Sequence, residues 1–266
     1  MFKYPRTRHV QGSRLQNGDH DLEAVSWSEL RGKHLVIEEK MDGANAGISF
    51  VDGKMMLQSR GHYLRGGPRE RHFDRLKQWA SAREIELRSI LGDRYIVFGE
   101  WLYGKHTCFY DALPHYFMEF DVFDTETKTF LSTERRRHLL GADGVIQSVL
   151  VLAEGKFDNL SDVEKLITRS NFITEKRKEA YLEQVFGDKL ASITNKDIQD
   201  ALSTGDWDER MEGLYIKWEE EGVVKGRYKF VRSSFTNSIM DQGEHWLNRP
   251  IIANQLIPGA EEKMFG

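Results

Sequence analysis

The chain has almost no cysteine, little proline and no long apolar run, and each absence excludes a class of protein. A lone cysteine, Cys108, among 266 residues rules out an internal disulfide framework and agrees with a reducing compartment. No apolar stretch approaches the ~18 residues that a membrane-spanning helix requires. The start, Met1-Phe2-Lys3-Tyr4-Pro5-Arg6, lacks the apolar core of a signal peptide. A cytoplasmic protein with no membrane association is expected. Internal repeats and low-complexity linkers are missing too, so residues 1–266 read as a single domain with a substantial core. Hydrophobic residues make up 39% and charged residues 30%, the balance of an ordinary globular chain.

A large positive charge is also lacking. The formal net charge of -4 argues against indiscriminate nucleic-acid binding, but the sum hides basic clusters. One holds Arg60, Arg65, Arg69, Arg71, Arg75 and Lys77; a second is Arg135-Arg136-Arg137-His138; a third is Lys225, Arg227, Lys229 and Arg232. Local basic patches on an acidic chain suit one specific phosphate-rich ligand. For Arg135 to Arg137 a solvated helix face is the plainer reading. The third cluster lies inside an apolar strand, where solvation explains it less well.

Strand patterns occupy Leu35 to Ile37, Ala46 to Phe50, Lys54 to Gln58, Tyr95 to Phe98 and Tyr116 to Phe123. One helix is expected from about Glu70 to Leu91, with Phe73, Leu76 and Trp79 spaced as on an amphipathic face. Asp124 to Thr127 fits a hairpin turn before Phe130-Leu131, and Ser132 or Thr133 fits an N-cap. From Asn159 to Ser203 the composition turns helical, with Ser161 and Glu164 in capping-box spacing and a further helix at Asn195 to Leu202. Two late strands follow, Leu214 to Trp218 and Val223 to Val231. The expected fold class is α+β: a mainly antiparallel sheet, a helical insertion at about 155–208 and a short C-terminal extension, 233–266.

The segment Glu38-Glu39-Lys40-Met41-Asp42-Gly43-Ala44-Asn45 fixes a lysine at a strand end beside an Asp-Gly turn. An amine becomes a nucleophile when its pKa is lowered, by a dry pocket or by neighbouring cations. Arg227 and Lys229 alternate around Tyr228 and so share a sheet face. Two such cations favour phosphate and would depress a nearby lysine pKa. Lys217 lies on the opposite face of its strand from Ile216 and Trp218. Glu212 has the other parity, so both line one cleft only if Glu212 precedes the regular strand or a bulge intervenes. Asp121 also reads as a plain strand end or turn cap, Phe117 rivals Phe120 on the other face, and His106 and Cys108 read as structural.

The spacing Lys40-x-Asp42-Gly43 resembles the adenylation motif of the covalent nucleotidyltransferases: DNA ligases, RNA ligases and mRNA capping enzymes. Five further segments resemble that superfamily's motifs in order: Ser59-Arg60, Phe98-Gly99-Glu100-Trp101, Phe117 to Asp121, Glu212-Gly213-Leu214-Tyr215-Ile216-Lys217 and Arg227-Tyr228-Lys229-Phe230. Within it, Asn45 two residues after Gly43 resembles the ATP-dependent RNA ligases of the RNA ligase two group. With only a short sequence after Val231, no separate oligonucleotide-binding barrel is expected.

The resemblance implies an ATP-grasp-like adenylation domain that joins 5′-phosphate and 3′-hydroxyl RNA ends through a lysine-AMP intermediate. ATP and Mg²⁺ or Mn²⁺ are the implied cofactors. RNA is the implied partner, with a separate end-healing kinase or phosphatase. Lys40, Asn45, Lys217 and Lys229 take catalytic roles. Arg60, Lys217, Arg227 and Lys229 meet phosphate, and Phe120 stacks on adenine. Glu39 joins the nucleotide site, and Glu100 and Glu212 meet ribose or the metal shell. Lys176, Arg177 and Lys178 of the helical block offer charge for RNA. A DNA ligase, a capping-type guanylyltransferase and a non-catalytic RNA-end-binding module remain as alternatives. The segments Tyr4-Pro5-Arg6-Thr7-Arg8-His9 and His245 to Pro250 resemble bacterial RNA-ligase-like proteins with no role attached.

Overall fold

The computed structural model describes residues 1–15, 23–141, 144–235 and 250–266. His245 to Arg249 therefore lie outside the described residues. The strands are β1 (Arg8–His9), β2 (Leu35–Lys40), β3 (Ala44–Val51), β4 (Lys54–Ser59), β5 (Tyr95–Trp101) and β6 (Phe117–Asp124). They continue with β7 (Thr129–Leu131), β8 (Gln147–Ser148), β9 (Val151–Gly155), β10 (Gly213–Glu220) and β11 (Val223–Val231). Among the described residues they form one sheet in the order β4-β3-β5-β6-β7-β11-β10-β2-β9. Pairing along that path is antiparallel; β1 joins β11 and β8 joins β6 in parallel. Two hairpins close on residues with positive φ, Asp52-Gly53 and Glu221-Gly222. That conformation matches the twist of the strands they join.

The sheet folds back on itself. Strands β6 and β10 stand three places apart, roughly 14 Å in a flat sheet, yet Lys217 Nζ lies 3.3 Å from Asp121 Oδ1. The two halves therefore face each other across a concave interior lined by charge. On the outer side of the first half, α2 (Asp74–Ala82) and α3 (Glu84–Leu91) bury Leu76, Trp79, Leu87 and Leu91 against Ile48, Val97, Phe117 and Val122. On the outer side of the second half, α1 (Trp27–Leu30) and α5 (Leu160–Glu164) cover Leu35, Ile37, Leu214 and Ile216.

Several elements differ from expectation. The single helix at 70–91 is a 3-10 turn at Pro68–Phe73, then α2 and α3, separated at Arg83. Arg83 donates to the carbonyls of Met264 and Lys263 in α8 (Ala260–Phe265), a tertiary demand that periodicity does not register. Ser132 caps α4 (Thr133–Leu140) as its position suggests. The Ser161/Glu164 capping box does not form, since α5 begins two residues earlier, after Asn159. The block instead closes a capping box between Thr194 and Asp197 at α7 (Asn195–Leu202). In α6 (Arg177–Phe186), Arg177 is buried, donates to the Asp208 carbonyl and lies over Trp207. It holds the block together; only Lys176 and Lys178 of that trio are exposed.

Candidate active site

Register decides which side chains share the interior. Lys40 pairs with Gly213, Glu38 with Tyr215 and Val36 with Lys217, while Lys217 pairs with Arg227 and Tyr215 with Lys229. Because neighbours across a sheet point the same way, Glu38, Lys40, Tyr215, Lys217, Arg227 and Lys229 all face inward. Glu39 faces out. Its carboxylate is buried against Ser170 Oγ at 2.5 Å and Asn171 Nδ2 at 3.0 Å, so its side chain points away from Lys40.

Lys40 Nζ lies 2.7 Å from Glu212 Oε1. Glu212 reaches the cleft because it immediately precedes β10 and escapes the alternation of the strand. Gly213 makes that approach feasible: a Cβ there would fall 2.0 Å from the Phe230 carbonyl oxygen. The turn after Lys40 is pinned from two sides. Asp42 Oδ2 accepts from the backbone N–H of Thr107 and of Cys108, each at 2.7 Å. Gly43 N–H donates to Glu100 Oε1 at 3.1 Å, and a Cβ on Gly43 would stand 2.7 Å from the Trp101 carbonyl oxygen.

This environment reverses the expected electrostatics. Burial alone would lower the Lys40 pKa, but Glu212 and Glu100 more than offset it and hold the amine above its usual value. Of the two cations expected to depress it, Arg227 turns to Asp121 at 3.7 Å and Lys229 acts on Glu212. Glu100 is pushed up to about 7, chiefly by burial, with Lys40 pulling down and Glu212 and Asp42 pushing up. Burial also raises Glu212. Since the folded Glu100 keeps its proton to higher pH than an unfolded one, its burial opposes folding above pH 7 and not below its ordinary value. The stability gained by Glu100→Gln should therefore grow across that interval to about 3 kcal/mol and stay level above it. Melting curves of both proteins from pH 4 to 9 measure this; a pH-independent difference would refute it.

Beneath Lys40 lies a buried ionic set. Arg136 from α4 meets Glu38 at 2.5 Å and Glu119 at 2.7 Å, and donates to the Phe120 carbonyl. Lys217 meets Glu38 at 2.9 Å and Asp121 at 3.3 Å and also donates to the Phe120 carbonyl. Three carboxylates thus face three cations, counting Arg227. Lys217 is fully buried, its ammonium held between Glu38 and Asp121. Arg136 is likewise no solvated helix residue, being 2% exposed. Asp121 is neither strand end nor turn cap but the centre of the set; burial would raise its pKa, and Lys217, Arg227 and Arg136 hold it low.

Phe120 is the extra residue where the β5–β6 register shifts between Phe98 and Gly99. It stays half-buried, while its rival Phe117 is fully buried and stacked on Trp79. Asn45 stands opposite Glu100 on the neighbouring strand, and its buried Oδ1 has no hydrogen-bond partner in the protein. Arg60 is exposed, one residue beyond the Ser59–Ala46 pair, at the rim of the same strand ends. Lys229 is buried and acts electrostatically on Glu212. Burial lowers the His106 pKa and raises the Cys108 thiol, in keeping with structural roles. The structure therefore gathers Lys40, Asn45, Glu100, Glu212 and Lys229 and leaves Glu39 outside. Sequence reasoning passed over Glu38, whose even spacing from Lys40 along one strand was the available signal.

Among the described residues no cluster of three or more His, Cys, Asp or Glu is arranged to ligate a metal directly. Asp42, Glu100 and Glu212 nevertheless all act on Lys40, an excess of carboxylate over that amine which suits a divalent cation held partly through water. No helix among the described residues is long and apolar enough to cross a membrane.

The RNA ligase family model matches residues 33–231. No curated protein sequence matches the chain. A Naegleria gruberi RNA ligase mutant with AMP and Mn has a similar structure, with TM-score 0.50 and 14% identity over 87% of this chain and 56% of that one. An apo mutant of the Naegleria gruberi RNA ligase gives TM-score 0.47 and 16% identity over 77% of this chain and 51% of that one. The chain thus spans about half the length of those structures, and at such identities the likeness is one of fold.

Proposed function

The chain belongs to the RNA ligase family, and from that premise we propose that it is an ATP-dependent RNA ligase working through Lys40. The observation that carries this reading is the amine of Lys40 held by Glu212 beside Glu100, at the strand ends of a cleft that also holds Lys229. Lys40 Nζ attacks the α-phosphorus of ATP, forming a P–N bond as the bond to pyrophosphate breaks. The amine proton leaves toward Glu212, 2.7 Å away. The AMP then passes to an RNA 5′-phosphate, and a 3′-hydroxyl displaces it to seal the strand. Bound Mg²⁺ or Mn²⁺ would supply charge neutralisation for the phosphate oxygens. Glu100 and Glu212 would hold it partly through water, and Lys229 and Arg60 would share the phosphate charge.

In this reading residues 1–266 form one ATP-grasp-like nucleotidyltransferase domain, with the helical block as an insertion and Asn45 placing it near the RNA ligase two group. Its buried free cysteine suits a reducing cytoplasm. The test is incubation with α-labelled ATP and a divalent metal, then denaturation. Label should remain on the protein. Labelling from GTP instead would support a capping-type enzyme, and no labelling from either would leave an RNA-end-binding module.

Asn45 is assigned to sealing. It lies inside β3 and not among the positive-φ residues, which favours a role other than shaping the turn after Gly43. Its buried Oδ1 has no hydrogen-bond partner in the protein, an acceptor that a ribose hydroxyl would satisfy. Asn45→Ala should join pre-adenylated RNA on the order of 100-fold more slowly while forming lysine-adenylate at a near-normal rate. Equal slowing of both steps would refute the assignment.

A further inference from the structure

The family match begins at residue 33, yet the interior is closed by a residue well before it. Tyr4 is 3% exposed. Its hydroxyl donates to Asp121 Oδ2 at 2.5 Å and contacts the Tyr215 hydroxyl, which itself reaches Asp121 Oδ2 at 3.2 Å. Its ring meets Phe120 edge-on, with centroids 5.3 Å apart, and lies 5.0 Å from Phe98. The Arg227 guanidinium lies over the same ring at 5.2 Å.

The segment carrying Tyr4 is fastened on both sides. Phe2 stacks on Phe123 at 3.9 Å, and its carbonyl accepts from Gln58 Nε2 at 2.8 Å. Beyond Tyr4, β1 pairs Arg8 with Tyr228 and His9 with Lys229. The first residues thus run along the strand that bears Arg227 and Lys229 and deliver Tyr4 into the angle between Phe120 and Asp121.

We infer that Tyr4 is a positioning residue of the nucleotide pocket, its ring backing the Phe120 platform and its hydroxyl fixing Asp121. This rests on the ligase reading above, in which Phe120 stacks on the base. Phe120 sits on a strand irregularity and is only half-buried, so a stacking ring there needs a wall behind it. Tyr4 and Tyr215, the latter 5.8 Å from Phe120, form that wall. Asp121 in turn sets Lys217 and Arg227. The opening Tyr4-Pro5-Arg6 segment thereby acquires a role: it brings to the pocket a residue that the family match does not include.

The test uses the full chain and the ATP dependence of lysine adenylation. Tyr4→Leu should raise the ATP KM about fivefold to tenfold and change the maximal rate by less than about twofold. Tyr4→Phe, which keeps the ring and its packing, should raise KM about threefold through loss of the hydroxyl alone. In a Phe120→Ala background the Tyr4→Leu effect on KM should fall below about twofold, because residues acting through one another are non-additive. A purely structural Tyr4 would lower the melting temperature of both variants and leave KM unmoved. That outcome, or an equal KM penalty with and without Phe120, overturns the inference. Should Tyr4→Leu fail to fold, an unchanged KM in Tyr4→Phe is enough to overturn the hydroxyl role. Absence of adenylate in the wild-type protein would instead refute the ligase reading itself.

Discussion

Lys40→Ala should abolish the denaturation-resistant label from α-labelled ATP. Of the other inward-facing amines, Lys217 is fully buried between Glu38 and Asp121 and Lys229 is buried on β11. Lys40→Arg should be as inactive as alanine, because a guanidinium stays protonated and cannot attack phosphorus. The loss must be separated from damage to the fold. Removing the ammonium leaves Glu212 buried without its 2.7 Å counter-charge, at a cost of about 1–3 kcal/mol. The figure falls below that of a fully buried pair because the Lys40 side chain is 21% exposed. The double variant Lys40→Met with Glu212→Gln should recover most of that stability and none of the label. Any label retained by Lys40→Ala would mean that another residue is the nucleophile.

Much of this site was legible because its parts are local in sequence. The strand, the Asp42-Gly43 turn and the alternation of Arg227 with Lys229 each occupy a few consecutive residues. Their periods survive folding. What stayed hidden depends on partners far along the chain. Arg136 lies in a run of arginines with no apolar stripe, and only the return of β2 against β6 buries it. Three apolar residues, Leu35-Val36-Ile37, mask the alternation of β2, so the strand seemed to end before Glu38 and Lys40. Edge strand β9 is half-buried and carries no alternating pattern, and it escaped notice for that reason. The raised pKa of Lys40 is not legible in sequence because Glu212 and Glu100 come to it from distant strands and Arg227 is drawn to Asp121.

Arg136→Ala should produce the largest loss of stability, about 3–5 kcal/mol. It would strand Glu38 and Glu119, both fully buried and both bonded to the one guanidinium. Lys217 would still serve Glu38, and Ser148 Oγ would still donate to Glu119 at 2.6 Å, but two carboxylates would share too little positive charge. Lysine is a poor substitute, since it lacks the planar fork by which Arg136 reaches Glu119 and the Phe120 carbonyl from one nitrogen and Glu38 from the other. Urea unfolding measures the change. Arg136→Met with Glu119→Gln should recover part of it by removing one stranded charge. A loss below about 1 kcal/mol would show that water or local rearrangement relieves the two acids.

The order of the strands in space also sets a timetable for synthesis. Glu38 and Lys217 are separated by 179 residues, and β2 lies between β9 and β10, the second made near the other end of the chain. At about 5–20 residues per second, translation needs on the order of 10–35 s to supply that partner. Until then the strand that carries Lys40 has an open edge, and the amine has no Glu212 to hold its proton. A chain still on the ribosome therefore carries Lys40 without the pocket that surrounds it, and that pocket closes only when β10 pairs with β2.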